Sequence, residues 1–132
     1  MKTRPMLTLE DCKKVSAAAE AEARKNSWNV CISILDDGGH LLHLIRMDGA
    51  TPANARIAVE KGRTAAETRR STANWQERVK TRPELLRMPG VTPVQGGLPI
   101  VLEGTCVGAV GISGVQSHED EQIAAAGIKA LE

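Results

Sequence analysis

The chain has no phenylalanine and no tyrosine, and its only aromatic side chains are Trp28 and Trp75. Alanine, valine, isoleucine and leucine must therefore build the core, and such small side chains let packed elements come close. Stacking platforms for bases are nearly absent, which argues against nucleic acid as a partner. A field of one sign is missing too: 17 Lys and Arg stand against 16 Asp and Glu, for a net charge of +1. Sequence-independent grip on a phosphate backbone needs a basic surface that this balance does not supply. No apolar run approaches the about 18 residues of a membrane-crossing helix, so no membrane partner is expected. Cysteine is sparse and scattered, with Cys12, Cys31 and Cys106 forming no C-x-x-C pair. That spacing argues against a zinc ribbon and a thioredoxin-type site. An odd thiol count, with no apolar signal core in residues 1–10, points to a reducing, cytoplasmic setting.

What is present is ordinary for a globular protein. The 132 residues are 42% hydrophobic and 25% charged, which predicts one domain over 1–132. Thr8 can cap a helix over residues 9–25, with Asp11 in the capping-box position. Leu9, Cys12, Val15 (or Ser16), Ala19 and Ala23 form its apolar stripe. A hairpin follows, in which Val30, Ile32 and Ile34 share a face and residues 36–39 (Asp-Asp-Gly-Gly) make the turn. The returning strand, residues 40–47, places Leu42, Leu44 and Arg46 on one face and Leu41, His43, Ile45 and Met47 on the other. Both faces are largely apolar, which predicts a strand covered on both sides. Thr51 and Pro52 start a helix reaching about Thr68, with the threonine hydroxyl as cap. Ser71 or Thr72 restarts a short helix through Trp75. Residues 81–97 show no period and read as a long loop, the kind that is usually functional or packed over something. A second hairpin spans residues 98–113, and Ser117 caps a last helix with Asp120 in the capping-box position. The order α-β-β-α-(α)-loop-β-β-α predicts an α+β fold with an antiparallel sheet.

Lys61 is the first candidate for chemistry. It falls on the stripe Ile57, Ala58, Lys61, Ala65 of the second long helix, and an ammonium on a core-facing stripe must pair or snorkel. It therefore either holds an anion, acts as a base, or packs its stem while the amine reaches water. Arg46 and Asp48 close the second strand, where a guanidinium can fork a carboxylate and Asp48 can accept a proton. Their alternative is an ion pair that fixes the turn. Gly97 and the run of residues 108–114, ending in Ser113 and Gly114, can present backbone N–H groups, although sharp turns and close packing also explain those glycines. The run does not match G-x-G-x-x-G, which argues against dinucleotide binding. His40 adjoins a turn and reads as solvated. His43 shares a face with Leu41 and Ile45 and is an acid, a base, an axial ligand or a satisfied core histidine. His118, Glu119 and Asp120 are adjacent on a helix and point apart, which makes a poor metal set.

Taken together, several segments resemble the GlcG/HbpS-like family, which includes the C-terminal domain of PduO-type corrinoid adenosyltransferases. The matching residues are 36–41 leading into 46–50, Lys61 with Thr64 and Ala65, 96–100, and 108–114 with Asp120. They follow the family's order over nearly the whole chain. The resemblance implies a profilin-like antiparallel sheet with helices on its faces, and homo-oligomers often built from dimers. Members of the family include heme-binding proteins and proteins encoded among genes of small organic-acid catabolism.

The resemblance favours a binding protein for heme or a related tetrapyrrole. In it Arg46 and Lys61 would pair the propionates and His43 would be the axial ligand. Asp48, Gly97, Ser113 and Asp120 complete the ligand-binding set. The residues alone also fit a cofactor-independent isomerase, tautomerase or hydrolase acting on a small carboxylated metabolite. There Arg46 and Lys61 would hold the carboxylate, and Lys61, Asp48 or His43 would move a proton. A subunit that stabilises or regulates a partner protein is the third reading.

Overall fold

The computed structural model describes residues 1–132. Helix α1 (Leu9–Lys25) leads into strands β1 (Cys31–Asp36) and β2 (Leu41–Arg46). Helices α2 (Pro52–Thr68) and α3 (Thr72–Thr81) follow, then strands β3 (Gly97–Leu102) and β4 (Thr105–Ser113), and helix α4 (Ser117–Ile128). The four strands form one antiparallel sheet in the order β2-β1-β4-β3. This is the α+β architecture that the pattern of hairpins and helices predicts. No helix is long and apolar enough to cross a membrane.

The two faces of the sheet are built differently. Ile32 and Ile34 of β1, Val110 and Ile112 of β4, and Ile100 of β3 belong to the main core, shared with Val15 and Ala19 of α1 and Ile123 of α4. Leu, Ile and Val side chains fill that layer, as an aromatic-poor sequence requires. The other face carries Ser33, Ala109 and Gly111, and α2 lies directly on it with Ala58, Gly62, Ala65 and Ala66. The approach is close enough that a Cβ at Gly111 would stand 2.0 Å from the Ala58 carbonyl oxygen and 2.5 Å from the Gly62 nitrogen. Ser33 uses the same proximity, donating its hydroxyl hydrogen to the Ala58 carbonyl at 2.8 Å.

Local signals place most elements. Thr8 accepts from the Asp11 N–H, and the Asp11 carboxylate accepts from the Thr8 N–H, completing the α1 capping box. Ser71 caps α3. Three details differ from expectation. Thr51 is the N-cap of α2 but its hydroxyl makes no capping bond, so Pro52 at the first turn carries that helix start. The cap of α4 is Gln116, boxed with Glu119, instead of Ser117 with Asp120. Asp120 is thereby released for another partner. The segment read as a structureless loop contains a 3-10 turn at Pro83–Arg87 that buries Leu85. Its remainder is tied down by side chains: the Thr92 N–H donates to the Thr64 hydroxyl, and the Gln95 N–H to the Gln76 side-chain carbonyl.

The larger correction concerns β2, which is not covered on both sides. It lies at the edge of the sheet, and the helices sit over the central strands. Leu41, Leu42 and Leu44 remain 47%, 39% and 37% exposed. Cross-strand register turns Leu44 and Arg46 toward the α2 face, and His43 and Ile45 toward the α1 face. The alternation predicted for residues 43–46 holds, while a register shift disturbs the pairing nearer the turn.

The close seat of α2 gives a direct test. Gly111→Ala should destabilise the protein by about 2 kcal/mol or more, because the added methyl meets backbone on both sides and neither can swing away. Urea unfolding measures it, and a loss below about 0.5 kcal/mol would contradict the packing described.

Candidate functional site

The strands bring most of the predicted residues to one end of the sheet. Cys31, at the start of β1, pairs with Arg46 on one side and Ser113 on the other, so all three lie in a row on the α2 face. Gly97 pairs with Gly111 at the same end. The Lys61 side chain reaches this end from α2, and Asp120 reaches it from the first turn of α4.

Lys61 and Asp120 find each other. The Lys61 Nζ lies 3.0 Å from Asp120 Oδ2 and donates also to the Ile112 carbonyl at 3.0 Å. Both residues are only 2% exposed. The second oxygen of Asp120 accepts the Val115 N–H at 3.2 Å. The ammonium therefore neither snorkels nor faces solvent; it pairs, and the pair joins a helix on one face of the sheet to a helix on the other. Burial pushes the Asp120 carboxyl above its ordinary value, and the charge and hydrogen bond of Lys61 pull it back part of the way. Gly97 packs against the backbone of this lysine: a Cβ there would meet the Lys61 carbonyl oxygen at 2.3 Å. The Gly97 N–H is not free to receive a ligand, because it donates to the Thr72 hydroxyl at 2.8 Å.

The remaining residues are more accessible. Ser113, nearly buried, donates its hydroxyl hydrogen to Asn54 Oδ1 at 2.9 Å. Arg46 and Asp48 are exposed and form no ion pair, with each other or with any other side chain. The Arg46 charge lies near the buried Cys31 thiol, whose pKa is raised by burial and only partly drawn down by that guanidinium. His43 is half-buried on the opposite face of β2 from Arg46. His40 is exposed and bonds Asp36, and His118 is exposed at the start of α4. The site thus divides into a sealed part, Lys61, Asp120 and Gly97, and an open part, Arg46, Asp48 and His43, with Ser113 and Asn54 between them.

Two polar neighbours of these residues carry no signal of their pairing in the sequence. Asn54, in the first turn of α2, accepts the Ser113 hydroxyl. Thr72 opens α3 as the sequence predicts, and its hydroxyl also holds β3 against that helix. Neither pairing has a local signal, since the partners lie 59 and 25 residues away. The surface clefts lie at the other end of the sheet, around the hairpin turns, and none is lined by the predicted site residues.

A four-stranded antiparallel sheet with helices on both faces and a charged, partly open strand end defines a compact class of α+β domain. Residues 7–129 match the model of the family described as Haem degrading protein HbpS-like, and the chain belongs to that family. It is 45% identical over 114 residues to Protein GlcG of Escherichia coli, covering 86% of this chain and 85% of that protein. The fold is similar to the crystal structure of a double mutant of Streptomyces reticuli HbpS, with a TM-score of 0.92 and 32% identity. That match covers 100% of this chain and 91% of the other. It is also similar to the crystal structure of a PduOC–heme complex, with a TM-score of 0.87 and 26% identity over 96% of this chain and 95% of that one. The family and the heme-complex neighbour support small-ligand binding as the class of function.

The threonine anchor is testable on its own. Thr72→Val should cost about 1–3 kcal/mol, the penalty for leaving the buried Gly97 N–H without an acceptor. An unchanged urea midpoint would show that this hydroxyl does not hold the strand.

Proposed function

We propose that this protein binds heme or a related tetrapyrrole, and that β2 and the strand end beside it form the contact surface. The likeness to PduOC in its heme complex, over nearly the whole chain, carries this reading. The residues present fit the group. Three half-exposed leucines on one edge strand offer the apolar surface that a macrocycle needs. The Arg46 guanidinium, exposed and unpaired, suits a propionate carboxylate. The His43 imidazole is half-exposed on the same strand and makes no hydrogen bond to the rest of the chain. Bound heme would supply an iron that can take an imidazole nitrogen as ligand.

His43 would hold the iron in this reading, with Arg46 as the propionate partner and Asp48 and Ser113 as the polar rim. His43 and Arg46 leave opposite faces of β2, which is an edge strand, and in this reading the ligand would lie along its open side. Lys61, Gly97 and Asp120 act from behind, fixing the strand end against which the ligand rests. A homo-oligomer in which a second copy shields the exposed leucines belongs to the same proposal.

Titration of the purified protein with hemin, against a hemin–albumin control, tests it. A saturable, shifted Soret band is expected, altered in position and weakened at least tenfold in His43→Ala. Arg46→Gln should weaken binding by about fivefold, in keeping with the ~1 kcal/mol of one solvent-exposed charge contact. Absence of saturable binding would overturn the proposal, and an unchanged spectrum in His43→Ala would remove His43 from the iron.

A further inference from the structure

At the end of the sheet away from Arg46, the two hairpin turns and the C-terminus of α2 enclose an open cleft of about 490 Å³. Arg4, Asp37, Arg69, Thr105 and Cys106 line it. Two guanidinium groups against one carboxylate leave the cleft net positive. The carboxylate is already committed, since Arg4 gives Nε and Nη2 to the two oxygens of Asp37. Arg69 gives Nη1 to the backbone carbonyls of Asp37 and Ala66. Arg4 Nη1 and Arg69 Nε and Nη2 make no hydrogen bond within the chain, and Thr105, which shares the cleft lining, is exposed. Donors fixed in this way by their own backbone and carboxylate partners are held ready for an anion.

The backbone at Arg69 is a separate observation. This residue ends α2 in the left-handed conformation, at φ 58°. Glycine is the residue that takes this position without strain, and a side chain that stays there needs a reason. The reason at hand is that its guanidinium reaches back to the β1–β2 turn and faces the cleft.

We infer that this cleft is a binding site for a small anionic metabolite, held through a carboxylate or phosphate group by Arg4, Arg69 and Thr105 against the Cys106 thiol. It lies at the opposite end of the sheet from Arg46 and Ser113 and does not depend on the tetrapyrrole reading. The ligand class follows from the donor set: planar forks and a hydroxyl match an oxyanion.

Cys106 provides the probe, because Cys12 and Cys31 are fully buried and only Cys106 is open to reagent. The rate of its alkylation by neutral iodoacetamide is followed by mass spectrometry while inorganic phosphate or citrate is added at fixed ionic strength. At least a fivefold, saturable slowing by one of the two is expected, and which one protects tells a phosphate-bearing ligand from a carboxylate-bearing one. Arg4→Gln and Arg69→Gly should each abolish protection. Glycine suits the Arg69 backbone, so Arg69→Gly should lose protection without a fall in thermal midpoint. No saturable slowing with either anion, or protection that survives undiminished in both variants, would overturn the site.

Discussion

The buried pair of Lys61 and Asp120 organises one end of this molecule. A lysine ammonium taken from water costs several kcal/mol unless an opposite charge and further acceptors meet it. Here the carboxylate of Asp120 and the Ile112 carbonyl meet it at 3.0 Å each. The pair crosses from α2, on one face of the sheet, to α4, on the other, past the end of β4. It therefore sets where α4 begins, and it explains why Gln116 and Glu119 perform the capping that Asp120 might otherwise have performed. Gly97 fits against the lysine backbone, so the entry of β3 depends on the same point.

The asymmetry of the sheet follows from the composition. With no Phe or Tyr, one face is filled by branched aliphatic side chains, and the other is closed by bringing α2 down onto serine, alanine and glycine. A helix that close covers the central strands and leaves an edge strand open. That strand, β2, carries leucines a solvated edge would normally avoid, together with a free guanidinium and a free imidazole. The proposed ligand surface is thus what the close packing of α2 leaves uncovered.

Most elements were legible because their signals are local. The Thr8–Asp11 box, the Pro52 start and the Asp-Gly turns each act within a few residues. Lys61 stood out because a charge on a helical core stripe demands a partner, but the partner, 59 residues away, has no local mark. Asp120 was read as a helix cap and as a ligand contact, and its actual role needed the tertiary fold. The covering of β2 was misjudged for a related reason. Apolar alternation on both faces predicts burial, yet strand order decides what lies over a strand, and order is not written in the strand itself. The fold brings Arg46, Lys61, Gly97, Ser113 and Asp120 to one end of the sheet, and the division between sealed and open members appears only once the register is known.

The chain belongs to the HbpS-like family and is similar in fold to PduOC, and its own geometry separates a structural clasp from the accessible strand beside it. That separation rests on Lys61 and Asp120 acting as one unit inside the fold. A double-substitution cycle of Lys61→Met and Asp120→Leu, read as unfolding free energy in urea, measures it most directly. The account predicts that each single change costs about 3–5 kcal/mol, because it strands a buried charge. The double change should lose at least ~2 kcal/mol less than the sum of the two. Losses that simply add, or single changes that leave stability unaltered, would contradict it.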